Sequence, residues 1–458
     1  MNANVRNWGI VLGLPAICSA VMLSYAVDTK LLLFLAFTMA VILIWALEVL
    51  PSVLAAILLP FLYVICEIAP SSAVYSPWLT FLPWVSLTGM IYGNILGRTG
   101  LAKRIALICV KTMGGTFSAI AIGLMIAGVI LAFLVPAMMA RIVIFYAITC
   151  GFADALDIDK RSRMSSAILM AGFFAATSPS LMLMTSNEVN LLGINAINKD
   201  AEVITWGAYF LHNGPLVILY SMFSVVLAHF IKGKEKLPSK EVVAAMVTEK
   251  LEEMGKFTLA EFKVMVLLLI GVSAFIVAGP RMGPWIFALT GCIAFFPGMS
   301  LIDGEQLGKL NFGFVFFVTG CMAIGAAAGT LGLPALIGGE IAPLLEGRSG
   351  IVSVLMSYMT GLGINFLLTP LAATSSMAEP LVAVAHSLGM NPAPFIYSFF
   401  FGLEQYILPY EYALFLFFFI ESRMTLSHIM PSLAARMGVT FVLLAAVAYP
   451  YWSFIGII

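Results

Sequence analysis

Polar residues set in the middle of membrane-length apolar runs constrain this chain more than any other feature. The clearest case is LLTPLAATSSMAEPLVAV at 367 to 384, where Thr374, Ser375 and Ser376 stand between Pro370 and Pro380, with Glu379 close by. Proline removes a backbone donor and clashes with the preceding turn. Lipid cannot bond the NH and CO groups so freed, and irregular backbone at that depth survives only where protein buries it or a polar cavity is lined. The stretch therefore reads as the tip of a broken or re-entrant hairpin that holds a ligand. The alternative is a set of hydroxyls that bond back to their own helix and pack it against a neighbour.

Composition places these runs in lipid. The 458 residues are 62% hydrophobic and 10% charged, where a soluble domain carries about 25% charged residues. At roughly 20 apolar residues per crossing, the chain has room for about 10 to 12 crossings, some of them hairpins that enter and return. A single transmembrane domain over residues 1–458 is expected, all-α and polytopic. Zero formal net charge argues against a nucleic-acid partner. Cys18, Cys66, Cys109, Cys150, Cys292 and Cys321 lie singly in apolar segments and the four His show no ligand spacing, so neither a metal site nor a disulfide framework is predicted. Arg6 and the apolar run after it resemble a signal sequence, but no small-residue cleavage site follows, and the run is taken as the first span.

Taken in order, spans are expected at 8 to 26, 31 to 50, 52 to 68 and 79 to 97, with Glu48 near a span end. The segment GRTGLAKRIALICVKTMGG that follows suits a basic amphipathic helix at the cytoplasmic interface. Residues 116 to 153 form a first hairpin broken at Pro136, with Ala137, Met138 and Met139 at its tip and Arg141 just beyond. An arginine there costs about 3 kcal/mol or more unless it faces protein or water, so it is either a ligand-binding group or half of a buried ion pair. Residues 165 to 198 are broken by Pro179 and by TSNEVN, which holds Thr185, Ser186, Asn187, Glu188 and Asn190. Residues 204 to 231 form another span.

The only long hydrophilic segment is 232–257, a linker that divides a first half, 1–231, from a second half, 258–458. Val242, Val243, Met246, Val247, Leu251 and Met254 share one helical face of it, and Thr258 with Glu261 makes a capping box opening the next span. Spans at 261 to 279, 284 to 300 and 310 to 330 lead to the hairpin at 350 to 390. A span at 392 to 420 is interrupted by GLEQYILPYEYA, with Glu404, Gln405, Tyr406, Pro409, Tyr410 and Glu411, and a last span covers 432 to 454.

The halves repeat. GRTGL at 97 to 101 corresponds to GTLGL at 329 to 333, the hairpin breaks correspond, and each half holds an interrupted span. Repeats with broken helices in matching places point to a secondary transporter whose substrate binds near mid-bilayer at the repeat interface. With the N-terminus cytoplasmic, 18 Lys and Arg fall in inside loops and four outside, with Arg141 in the membrane. That asymmetry supports the orientation and leaves the C-terminus outside. An intramembrane enzyme would need a nucleophile with its base or a metal cluster, and no His-x-x-x-His, paired Cys or Gly-x-Ser-x-Gly element occurs. A channel lacks support, since there is no filter-like repeat.

TMAVILIWALEVLPSVLAAILLP at 38 to 60 resembles the Trp-x-x-Glu-x-x-Pro region that opens the divalent anion/sodium symporter family, carriers of di- and tricarboxylates. VPAMMAR at 135 to 141 looks like that family's Ile-Pro-Ser-Asn-Thr-Ala-Arg hairpin tip, Thr374, Ser375 and Ser376 like the second tip, and TSNEVN and QYILPYE like its two unwound loops. The resemblance implies two inverted repeats, each with a re-entrant hairpin and an interrupted helix. It also implies a homodimer in a cell (inner) membrane, and an elevator-type transporter of a small organic anion by Na⁺-coupled symport or exchange. By the same resemblance the substrate site draws on Ala137, Met138, Met139, Arg141, Ser186, Asn187, Asn190, Thr374, Ser375, Ser376, Gln405, Pro409 and Tyr410, and Na⁺ on Thr185, Asn190, Thr374 and Ser376. Ala137, Met138 and Met139 depart from the pattern, because none supplies a hard oxygen from its side chain. Glu188, Glu379 and Glu411 are the coupling candidates, and a proton-coupled or exchange transporter of another small solute, a sulfonate or a neutral or cationic one, is the alternative.

Overall fold

The computed structural model describes residues 3–24, 28–47, 49–134, 138–198, 203–334, 336, 343, 348–366, 368–407, 415, 418 and 424–458. The first half holds α1 (Ala3–Ser24), α2 (Thr29–Leu47), α3 (Ser52–Ile65), α4 (Leu82–Thr99), α5 (Leu101–Met113), α6 (Phe117–Leu134), α7 (Met138–Ala155), α8 (Arg163–Thr177), α9 (Glu188–Ile197) and α10 (Trp206–Ile231). A connector helix, α11 (Lys240–Glu253), leads to the second half. That half holds α12 (Leu259–Val277), α13 (Gly279–Ile293), α14 (Gly313–Thr330), α15 (Gly350–Asn365), α16 (Pro370–Ser387), α17 (Pro392–Leu403) and α18 (Leu426–Leu443). A π turn at Leu444–Ala448 carries α18 on into Tyr449–Phe454. Among the described residues, seven helices are long and apolar enough to cross a membrane.

The repeat is physical. α4 and α14 both run into glycines with left-handed backbone, Gly100 (φ 77°) and Gly332 (φ 67°), so GRTGL and GTLGL build the same helix stop. In the first half α6 packs on α8 at Gly128, where an added Cβ would meet the Ala175 carbonyl. In the second, α15 packs on α17 at Gly361, where it would meet the Phe399 carbonyl. The repeats also exchange partners, since α3 lies against α14 and α13 against α4.

At the second hairpin the structure differs from the expectation of an irregular tip at Thr374, Ser375 and Ser376. α15 ends at Asn365 and α16 begins at Pro370, so all three residues lie within a regular helix. Pro370 starts that helix instead of breaking it, because the first helical residue has no intrahelical NH bond to lose. The hydroxyls take the alternative role: Thr374 donates to the Pro370 carbonyl at 2.8 Å, Ser375 to that of Leu371 at 2.8 Å and Ser376 to that of Ala372 at 3.0 Å.

The connector is amphipathic and packs on α5, burying Val243, Met246 and Val247, whereas Val242 of the expected face is exposed. Thr258 and Glu261 form the predicted capping box. The longest enclosed stretch is α8 with the chain that follows it: every residue from Met164 to Ile194 is buried.

Candidate functional site

Two broken helices meet inside this frame. α8 stops at Thr177, and Ser178–Leu181 closes a tight 3₁₀ turn in which Pro179 cannot continue the helical ladder. A second such turn, Met184–Ser186, precedes α9, which Asn187 caps by accepting the Val189 NH at 3.2 Å. The unwound carbonyls are served by the segment's own side chains. Asn190 Nδ2 donates to Ser180 and Leu183 carbonyls at 2.7 and 2.9 Å, and Ser186 Oγ donates to the same two. Buried backbone acceptors need such partners, which is why Ser and Asn recur here.

Across from it, α17 ends at Leu403. Glu404 Oε1 accepts from Ser180 Oγ at 3.3 Å, and Gln405 Nε2 donates to Tyr220 Oη at 3.1 Å and the Phe401 carbonyl at 2.8 Å. Asn365, at the end of α15, donates to the Gln405 carbonyl at 2.8 Å. Arg436 of α18 joins both breaks. Its Nη1 donates to the Glu404 carbonyl and its Nη2 to Ser178 Oγ, each at 3.2 Å. The guanidinium carbon lies 4.9 Å from the ring centre of Phe174 and 4.8 Å from that of Tyr220, an aromatic sandwich that favours a desolvated cation. Arg141 is wholly buried and donates from Nε to the Ala176 carbonyl at 3.2 Å, one residue before the end of α8.

α9 leads from this cluster to a cavity. Asn195 lies five residues beyond Asn190, about 7.5 Å along the helix axis, and lines a cavity of about 100 Å³ with Ser76, Thr80, Thr374, Ser375 and Glu379. The walls come from α9, α14, α16 and the short turns between α3 and α4.

Of the residues singled out from sequence, Ser186, Asn187, Glu188 and Asn190 sit at the first break and Gln405 at the second. Thr185 accepts from Trp206 Nε1 at 3.2 Å. Thr374, Ser375 and Glu379 line the cavity, and Ser376 does not. Met138 opens α7 and is buried. Glu48, Ala137, Pro409, Tyr410, Glu411 and the side chain of Met139 lie outside the described residues.

Sequence reasoning missed Arg436, Ser178, Ser180, Asn365 and Asn195 as site residues. Arg436 counts from sequence among the loop cations, yet it is 2% exposed at the centre of the polar cluster. Its signal was the one that marked Arg141, a lone arginine in an apolar run, here PSLAARMGVTFVLL.

A family model described as sodium:sulfate symporter transmembrane region matches residues 4–458. The chain belongs to this family, the divalent anion/sodium symporters. The L-tartrate/succinate antiporter of Escherichia coli O6:K15:H31 (strain 536) is 24% identical over 359 residues, covering 70% of this chain and 73% of the relative. That of Escherichia coli strain UTI89 is 25% identical over 368 residues, with the same shares. Among solved structures, the Alcanivorax borkumensis YdaH transporter is 15% identical, covers 94% of this chain and 99% of its own, and superposes with a TM-score of 0.50, which shows a shared fold. As a member of this symporter family, the chain is a multi-span membrane transporter.

Proposed function

We propose that this symporter-family member exchanges small dicarboxylates across a cell membrane, binding them between the two helix breaks and the neighbouring cavity. The observation that carries the reading is a buried polar cluster built from both repeats at matching breaks, with two arginines, Arg141 and Arg436, inside it. Arginine pairs with a carboxylate through two parallel NH bonds, and in a low-dielectric interior such a pair orients an anion strongly. Exchange is favoured because the two relatives named above are antiporters of tartrate and succinate.

The protein works as an inner-membrane homodimer in which α6 to α10 and α15 to α18, locked together at the Gly128 and Gly361 crossings, travel as an elevator against the remaining helices. The N-terminus is cytoplasmic: with Arg436 removed from the loop count, 17 cations remain inside against four outside. Sodium fits poorly. Asn190 Oδ1 is a buried hard oxygen with no donor among the described residues and suits Na⁺, but Ala137, Met138 and Met139 offer no side-chain oxygen at the first tip. At most one Na⁺ accompanies the substrate.

The test is purified protein in liposomes loaded with succinate, assayed for uptake of labelled succinate and tartrate with and without a Na⁺ gradient. Uptake that requires internal dicarboxylate supports exchange. Equal uptake into empty vesicles down a Na⁺ gradient overturns it.

A further inference from the structure

We infer that Glu404 binds a proton during the transport cycle, so that this carrier couples its anion to H⁺; the inference rests on the dicarboxylate reading above for the substrate alone. The first observation is an imbalance of hydrogen-bonding atoms. Asn190, Asn365 and Gln405 each spend their amide NH₂ groups on backbone carbonyls, so none of the three can turn round without placing oxygen against oxygen. Their amide oxygens are consequently fixed, buried and without a donor among the described residues, and Glu404 Oε2 is in the same position. Arg436 and the Tyr220 hydroxyl keep hydrogens to spare, yet no donor among the described residues comes within hydrogen-bond reach of these four oxygens. An ionised carboxylate oxygen without a donor is costly in a dry interior, and a carboxyl proton lifts that cost by removing the charge and turning an acceptor into a donor.

The second observation is charge. Among the described residues, the buried charges around the breaks are two arginines, Arg141 and Arg436, and two glutamates, Glu188 and Glu404. With all four ionised the site has no net charge to offer a dianion. Glu404 is the glutamate bonded to both breaks, through Ser180 Oγ on its carboxylate and through Arg436 on its carbonyl. The groups that act on it are Arg436 on α18, Arg141 on α7, Ser180 on the first break, and Tyr209 and Tyr220 on α10. Neither tyrosine can neutralise it, and no ion pair with either arginine is formed within 4 Å among the described residues. When H⁺ adds to the carboxylate, an O–H bond forms, the negative charge disappears and the arginine field is left for the substrate. When the proton leaves to water on the other side, the field is cancelled again and the anion is released. One proton travels with each anion in either direction, so one-for-one exchange moves no net H⁺.

The decisive measurement does not involve substrate. In the infrared difference spectrum of the purified protein taken from mildly alkaline to mildly acid solution, a protonated-carboxyl C=O band should appear, and Glu404→Gln should remove it. In liposomes, succinate exchange by the native protein should rise several-fold, without Na⁺, when both faces go from mildly alkaline to mildly acid, and Glu404→Gln should lose that rise. Glu404→Asp, which keeps a titrating carboxyl, should keep the rise in acid should the Gln variant not assemble. A carboxyl band unchanged in Glu404→Gln, or exchange whose rise in acid survives that change, overturns the inference and leaves ordered water as the partner of the four oxygens. Absence of any dicarboxylate transport beside a Glu404-dependent band overturns the substrate reading and not this one.

Discussion

Arg104 and Glu261 join the two halves of the chain where the connector meets α12. Arg104 Nε lies 2.6 Å from Glu261 Oε1, while Glu261 Oε2 accepts the Thr258 NH at 2.7 Å to complete the cap of α12. The same guanidinium donates from Nη1 to the Gly255 carbonyl at 2.9 Å and from Nη2 to that of Met254 at 3.1 Å. The cation that the sequence marked as part of an interfacial helix therefore fixes where the connector ends and the second half begins. Glu261→Ala removes the ion pair and the cap together and leaves a half-buried guanidinium without its carboxylate, which should destabilise the protein by about 1–3 kcal/mol. Thermal unfolding in detergent, followed by tryptophan fluorescence, should show a lower midpoint, with Arg104→Lys in between; an unchanged midpoint would remove the joint.

Gly128→Ala and Gly361→Ala should be equivalent lesions. Each adds a Cβ against a backbone carbonyl that has nowhere to go, at matching crossings of the two repeats. Overpacking of this kind costs about 1–3 kcal/mol or more. Gly9→Ala, where a new Cβ meets nothing within 4 Å, is the control. Detergent-extracted yield and size-exclusion profile should fall for the first two and stay native for the third.

Arg141→Lys keeps the charge and loses the planar fork. If the substrate carboxylate is held bidentately, KM for succinate exchange should rise roughly tenfold, the loss of about one charge-assisted bond, with the protein folded normally. Lysine performing as well as arginine would assign Arg141 to structure, through its bond to the Ala176 carbonyl.

Sodium should matter little to the native protein. Any Na⁺ stimulation should follow a Hill coefficient of about one or less, since one hairpin tip lacks side-chain oxygens. The triple change Ala137→Ser, Met138→Asn and Met139→Thr should steepen that dependence. Steep multi-ion dependence in the native chain would mean that backbone carbonyls complete the first tip unaided.

Much of this arrangement is written in the sequence, and the exceptions share a cause. GRTGL and GTLGL reveal the repeat because a left-handed residue at a helix end favours glycine, a requirement local enough to read directly. TSNEVN reveals the first break because no lipid-facing helix places Thr, Ser and two Asn in six residues. Thr374 to Ser376 mislead, since Pro370 reads equally well as a helix breaker or a helix start and only the backbone decides. Arg436 misleads for another reason. Its partners come from three separate places in the chain, Phe174 and Ser178 at the end of α8, Tyr220 on α10 and the Glu404 carbonyl, and no local pattern announces that they converge.

The unbroken burial from Met164 to Ile194 has a consequence for how the protein is made. A translocon releases spans sideways into lipid, yet this stretch touches no lipid in the finished molecule and carries Ser178, Ser180, Ser186 and Asn190 at its break. Its neighbours α16, α17 and α18 are synthesised some 170 to 260 residues later. Until they arrive, the broken helix must be sheltered by α6, α7 and α10 or by an insertion chaperone. Truncation after residue 231 should thus yield a fragment that is retained by the insertion machinery and degraded, even though every apolar span of the first half is present.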